Sequence, residues 1–242
     1  MSAGHAQHLL HHPGDSPVHR LPAQVKIVAA LLTVLCVVAT PRTQFWAFGL
    51  YLVLVVAVGR IARVPAGHFA RRAFIEVPFV LVAVLMPVLG GAAGALAGWN
   101  ILAKGTLGVL TSLTLAATTT PRDLIVGLQR LRTPAVLTTI ATLMLRYLDV
   151  IAAEARRMRL ARISRGHDPR FLWQVGATAR GIGALFIRSY ERGERVHLAM
   201  LSRGWTGAMP DRGVAARPAT WLTGLVPVLV TAAVLATAVL AR

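Results

Sequence analysis

The chain has 242 residues, of which 55% are hydrophobic and only 14% charged, well below the roughly 25% charged residues of a soluble domain. Its 26 Lys and Arg outweigh 9 Asp and Glu, giving a formal charge of +17, and such an excess points to nucleic acid or to a membrane. The cations sit in the gaps between long apolar runs, as the positive-inside bias expects. A nucleic-acid binder would carry them on a Lys-rich soluble surface with exposed aromatics, so no nucleic-acid partner is expected.

Residues 1–20 form a polar, His-rich tail. His5, His8, His11 and His12 have a spacing that a helix could present on one side, and imidazole suits borderline metals, which makes them weak metal candidates. A solvated tail ending at Pro13-Gly14 is the simpler expectation. The first apolar run has no small-residue cleavage site followed by a soluble domain, so no secretory signal is expected. The single cysteine, Cys36, lies inside that run. It forms no internal disulfide and reads as a small lipid-facing or packing residue.

A span needs about 20 mostly apolar residues. Residues 21–119 supply four: Leu21–Ala39, Thr43–Gly59, Ala73–Leu89 and Asn100–Ala117. Lys26 lies near enough to the end of the first to snorkel. Glu76, beside Arg71 and Arg72, reads as an interfacial acid paired with one of them. The stretch Gly90–Gly98 has no charge and reads as an outer loop. Residues 218–242 supply the last span, Ala219–Leu240, with Trp221 as an interfacial anchor.

A further run, Ala135–Leu145, is short for a span. If it crossed, the Arg-rich stretch Arg156–Arg170 would lie outside, against the positive-inside bias. If it does not, residues 120–217 are all cytoplasmic, with 17 Arg against 7 acids. The fold class is therefore all-α: a polytopic membrane protein with about five transmembrane helices and a cytoplasmic helical region. Its N-terminus lies in the cytoplasm and its spans in the inner (plasma) membrane.

Three helices are legible in that region. Thr120 is an N-cap and Pro121 the first helical residue of a short helix to about Leu131. Thr133-Pro134 opens the second, whose Leu137, Ile140, Met144, Leu148 and Ile151 share one face. Gly166 and the following His167-Asp168-Pro169 stop it. The third follows Phe171-Leu172-Trp173, with an expected inner face of Ile182, Leu185, Phe186, Ser189, Gly193, Val196 and Met200. Gly181, Gly183 and Gly193 each weaken a helix by about 1 kcal/mol against Ala, and small residues there point to a close helix crossing.

Both long helices end in Ser-Arg-Gly: Ser164-Arg165-Gly166 and Ser202-Arg203-Gly204. They read either as two ordinary glycine caps or as two Arg prongs displayed for acidic grooves on a partner. The chain has no phosphate-binding loop and no Cys/His ligand spacing in its spans, so neither ATP hydrolysis nor a resident metal is expected of it. A stand-alone permease or membrane enzyme is the alternative. The coupling loop of an ordinary ABC permease is not matched by Glu154-Ala155-Arg156.

At these residues the sequence resembles the T component of energy-coupling-factor (ECF) importers, most closely the cobalt type called CbiQ. The resemblance covers roughly Gly14 to Pro210. It rests on Asp15-Ser16-Pro17-Val18-His19-Arg20-Leu21 with Lys26, on Asn100-Ile101-Leu102-Ala103-Lys104-Gly105, and on Thr118-Thr119-Thr120-Pro121-Arg122-Asp123-Leu124. Arg146-Tyr147-Leu148-Asp149, the run Leu185–Arg195 and the two Arg-Gly ends complete it. It implies a non-catalytic coupling subunit, with ATP and Mg held by two partner ECF ATPase subunits. A separate CbiM-like substrate-specific subunit (the S component) would capture cobalt, or another metal or a vitamin. In the family, two crossed cytoplasmic helices carry Ala-Arg-Gly-like tips that sit in ATPase grooves. Ser164, Arg165, Gly166, Ser202, Arg203 and Gly204 match those tips, with Ser in place of Ala.

Overall fold

A computed structural model of the chain describes residues 14–63, 67, 73–166, 175–209 and 216–240. Among them the secondary structure is helical, without strands: α1 (Pro17–Arg20), α2 (Ala23–Ala39), α3 (Phe45–Ile61), a 3-10 turn (Ala73–Glu76), α4 (Val77–Thr118), α5 (Pro121–Arg130), α6 (Ala135–Ser164), α7 (Val175–Leu201) and α8 (Pro218–Leu240). Three helices are long and apolar enough to cross a membrane, α4, α6 and α8, and α2 and α3 are shorter apolar helices. The chain is an all-α polytopic membrane protein. It divides into two compact units, residues 14–131 with 216–240, and residues 132–209.

In the first unit, α4 is two helices joined at Gly91, whose φ of 55° and ψ of −136° leave the helical region. Only glycine adopts that conformation without a steric penalty. The chain reverses there, so the expected outer loop Gly90–Gly98 is instead helical on either side of one residue. Two glycines let the arms touch backbone to backbone. A Cβ on Gly94 would collide with the Met86 carbonyl oxygen, and one on Gly98 with that of Ala83. Further along, the Phe79 ring lies 3.0 Å from the place of a Cβ on Gly105.

The core of this unit joins α2, α3, α4 and α8 through Val37, Phe48, Tyr51, Val55, Leu107 and Ala238. Tyr51 is only 1% exposed, so its hydroxyl needs partners. It lies 3.0 Å from Thr40 Oγ and donates at 3.4 Å to the Thr231 carbonyl oxygen. Thr40 also donates to the Cys36 carbonyl at 2.8 Å. Thr111, Thr114 and Thr118 each donate to the carbonyl four residues earlier, so their hydroxyls are satisfied inside the helix and they present methyl groups outward.

Lys26 does not snorkel. It is 8% exposed and donates to the Thr118 carbonyl at 2.9 Å and the His19 carbonyl at 3.1 Å. The last carbonyls of a helix have no partner of their own, and a cation suits that end of the dipole. Lys104 does the same in the opposite direction, donating to Val38 near the end of α2 at 2.7 Å. The two lysines thus cap each other's helices and fix α2 antiparallel to the long arm of α4. Glu76 is reached by Thr106 Oγ at 3.4 Å. Its expected partners Arg71 and Arg72 lie outside the described residues.

The helix α5 starts as expected, with Thr120 accepting from the Asp123 amide at 3.1 Å and Pro121 in the first turn. It belongs to the first unit because Gly127 sits on the start of α2. A Cβ there would lie 2.9 Å from Ile27 Cδ1 and 3.0 Å from the Gln24 nitrogen.

Candidate functional site

The second unit is built from α6 and α7. The helix opened at Thr133-Pro134 runs unbroken to Ser164, as expected from its stop at Gly166, because nothing between Ala135 and Ile163 is Gly or Pro. The two helices are antiparallel. Arg162 donates to Thr178 Oγ at 2.7 Å, Met158 Cε lies 3.9 Å from the place of a Cβ on Gly181, and Arg188 donates to Glu154 at 2.6 Å. Arg157 donates to the other oxygen of Glu154 at 2.5 Å, so one carboxylate holds two guanidinium groups. Beyond that clamp a hollow of about 320 Å³ opens between Ile140, Met144 and Tyr147 of α6 and Arg192, Val196 and Met200 of α7.

The two Ser-Arg-Gly ends have the same local geometry. Gly166 and Gly204 both have a φ of +78°, the left-handed conformation that ends a helix cleanly on glycine. The Gly166 amide donates to the Ile163 carbonyl at 3.0 Å and the Gly204 amide to that of Leu201 at 2.9 Å. Ser164 and Ser202 each donate to the carbonyl three residues earlier, Ala161 and Ala199, both at 3.1 Å. Each serine hydroxyl therefore donates to its own helix. Arg165 and Arg203 are both exposed. Since the helices are antiparallel and α7 has 27 residues, the two ends lie about 40 Å apart along its axis, at about 1.5 Å per residue.

The second end has an addition that sequence reasoning missed. The Trp205 amide donates to the Met200 carbonyl at 3.0 Å, completing the six-to-one bond of a Schellman cap. The indole folds back to line the hollow and meets the His197 ring edge-on, with centroids 5.9 Å apart. An apolar residue just after a glycine stop is the sequence signal for this.

The helix-crossing glycines divide. Gly181 faces α6, Gly193 borders the hollow between the two helices, and a Cβ on Gly183 or Gly193 would meet nothing within 4 Å. Residues two apart on a helix point to nearly opposite sides, so Gly181 and Gly183 cannot serve one crossing. The expected inner face is corrected in the same way. Leu185, Ser189, Val196 and Met200 are half-buried, while Ile182 and Phe186 are 64% and 70% exposed. The α6 stripe Leu137, Ile140, Met144, Leu148 and Ile151 is likewise exposed. Among the described residues no three His, Cys, Asp or Glu side chains gather to hold a metal ion. His5, His8, His11 and His12 lie outside those residues.

Residues 14–213 match the cobalt transport protein family CbiQ. The chain is 40% identical over 129 residues to the cobalt transport protein CbiQ of Rhodobacter capsulatus, covering 52% of this chain and 51% of that protein. That alignment spans about half the relative's length. It is 29% identical over 227 residues to the energy-coupling factor transporter transmembrane protein EcfT of Bacillus selenitireducens, covering 81% of this chain and 82% of that one. With the EcfT of Bacillus subtilis the identity is 26% over 222 residues, covering 81% and 83%.

Proposed function

The chain belongs to the CbiQ family of cobalt transport proteins, and we propose that it is the coupling subunit of an ECF importer, joining ATP hydrolysis on two ATPase partners to cobalt uptake through a separate substrate-specific subunit. The observation that carries this reading is the pair of exposed Arg residues on matching glycine caps at opposite ends of one antiparallel helix pair. Two prongs about 40 Å apart suit two separate partners better than one, and a guanidinium fork suits carboxylates and carbonyls in a groove. This chain makes no covalent step; ATP and Mg belong to the partners. ATP-driven closure of the ATPases would draw the two ends together and shift α6 against α7, a motion the substrate-specific subunit would feel. The basic gaps between spans support a cytoplasmic N-terminus and an inner-membrane location. The second reading is an importer of a vitamin in place of cobalt, since substrate would bind on another subunit.

Detergent pull-down of the ATPase pair, alongside cobalt uptake in cells, tests this. Arg165→Ala and Arg203→Ala should each weaken assembly by about 30-fold or more, since truncating one partner of a buried charge pair costs about 2–5 kcal/mol. Lys should not restore it, being a point charge without the planar fork. Exposed Arg156 is the control, with an Ala variant that assembles and transports like wild type. If both end variants assemble normally while Arg156→Ala does not, the ends are simple caps.

A further inference from the structure

Two hollows at the basic end of the first unit meet at one lysine. The first, about 480 Å³, is lined by Leu21, Ala30, Leu54, Val58, Leu115 and Pro227. Its threonines Thr111, Thr114 and Thr118 spend their hydroxyls on their own helix, so the lining is apolar in effect. The second, about 750 Å³, lies where α2 begins, α4 ends and α8 begins, and is bordered by Arg20, Lys26, Arg130 and Arg217. Its single acid, Asp123, already accepts from the Thr120 hydroxyl at 2.7 Å. Leu21, Lys26 and Thr118 border both hollows.

Two buried groups in the cationic hollow point to an anion. Lys26 has three N–H donors, and carbonyls take two of them. Thr119 is 3% exposed and its hydroxyl has no hydrogen-bond partner, a buried deficit that a bound group would relieve. A cluster of cations around an unfilled donor and hydroxyl matches the oxygens of a phosphate.

We propose that this end of the membrane unit is a site for an anionic glycerophospholipid, with its phosphate among Arg20, Lys26, Thr119, Arg130 and Arg217 and an acyl chain in the hollow between α2, α3 and α8. The shared border makes the site amphipathic over a short distance, which a free phosphate does not use and a lipid does. Basic pockets between membrane helices at headgroup level are where anionic lipids bind. The bound lipid bridges α2, α4 and α8, so it staples the start of one helix to the end of another. The inference does not depend on the transport reading.

The test is native mass spectrometry of the full chain, delipidated in detergent and titrated with phosphatidylglycerol or phosphatidylcholine. Wild type should retain phosphatidylglycerol about tenfold better. Arg20→Gln combined with Arg217→Gln should abolish that preference; both residues are exposed, so the thermal midpoint without lipid should not move. Ala30→Phe should fill the hollow, lowering retention of long-chain phosphatidylglycerol while a short-chain form still binds. In wild type the long-chain lipid should outcompete the short-chain one, a comparison that needs no variant. Equal retention of the two headgroups, or release of phosphatidylglycerol by millimolar inorganic phosphate or a soluble acidic peptide, overturns the proposal.

Discussion

The two compact units solve the same problem, packing long helices, by opposite means. The first closes on its own. Its helices approach until backbone meets backbone or side chain, at Gly94, Gly98 and Gly224, and two lysines cap the ends of neighbouring helices. The second is held by the Glu154 clamp and the Arg162–Thr178 bond among its described contacts, and it leaves Ile182, Phe186 and Tyr190 of α7 more than 60% exposed. Apolar exposure on α2, α3, α4 and α8 carries no message, because lipid is as apolar as leucine. In the cytoplasmic placement proposed for the second unit, the same exposure on α7 would mark a face for another protein. Among the described residues the first unit packs closely on itself, whereas the second leaves an apolar face open.

The largest effect that would break this contrast lies at the α4 turn. Gly98→Leu puts a branched side chain where even a Cβ collides with the Ala83 carbonyl oxygen. Overpacking costs typically about 1–3 kcal/mol, occasionally more, and a backbone carbonyl cannot swing aside. The variant should lose several degrees of thermal midpoint in detergent, and Gly98→Ala should already show a measurable loss. A neutral Gly98→Leu would mean the two arms of α4 do not touch.

The reciprocal lysines sharpen the contrast further. Lys26→Met leaves the carbonyl of buried Thr118 without its cap and should cost about 1–3 kcal/mol. Lys104→Met uncaps Val38 at a contact open to solvent, where water replaces the ammonium, and should cost under about 1 kcal/mol. Thermal unfolding of the two variants in one detergent without added lipid gives the order. Equal losses would mean burial of the Lys26 end is not what gives its cap weight.

Helix existence and type were legible from the chain because apolar run length and Gly/Pro punctuation are local signals. The two Ser-Arg-Gly ends were legible for the same reason: glycine and the preceding periodicity suffice to place them. What was not legible depended on distant partners. The acceptor of Lys26 lies 92 residues away, so the sequence offered only a lysine near a span's end. The Gly90-Gly91 pair signalled a break but not that helix would resume at once. Periodicity named one apolar face of α7 but could not say which part of it this chain would cover: Leu185, Ser189, Val196 and Met200 are half-buried, while Ile182 and Phe186 stay exposed.

The smallest effect separates two glycines on that helix. Gly183 faces open space, so Gly183→Ala adds no clash and removes glycine's helix penalty, stabilising α7 by roughly 0.4–1 kcal/mol. Gly181→Ala should do nearly the same, since its nearest neighbours lie at 3.9 and 4.0 Å, ordinary contact distances for a methyl group. Leucine tells them apart. At Gly181 it would press on Met158 and on Arg162, whose guanidinium is committed to Thr178, whereas at Gly183 it would extend into open space. Hydrogen exchange of the α7 amides should therefore slow in Gly183→Leu and quicken in Gly181→Leu. If the coupling reading holds, cobalt uptake should fall in Gly181→Leu, where α6 and α7 can no longer shift against each other. Identical exchange in the two leucine variants would mean that α6 and α7 do not approach at Gly181, and that the Glu154 clamp carries their contact instead.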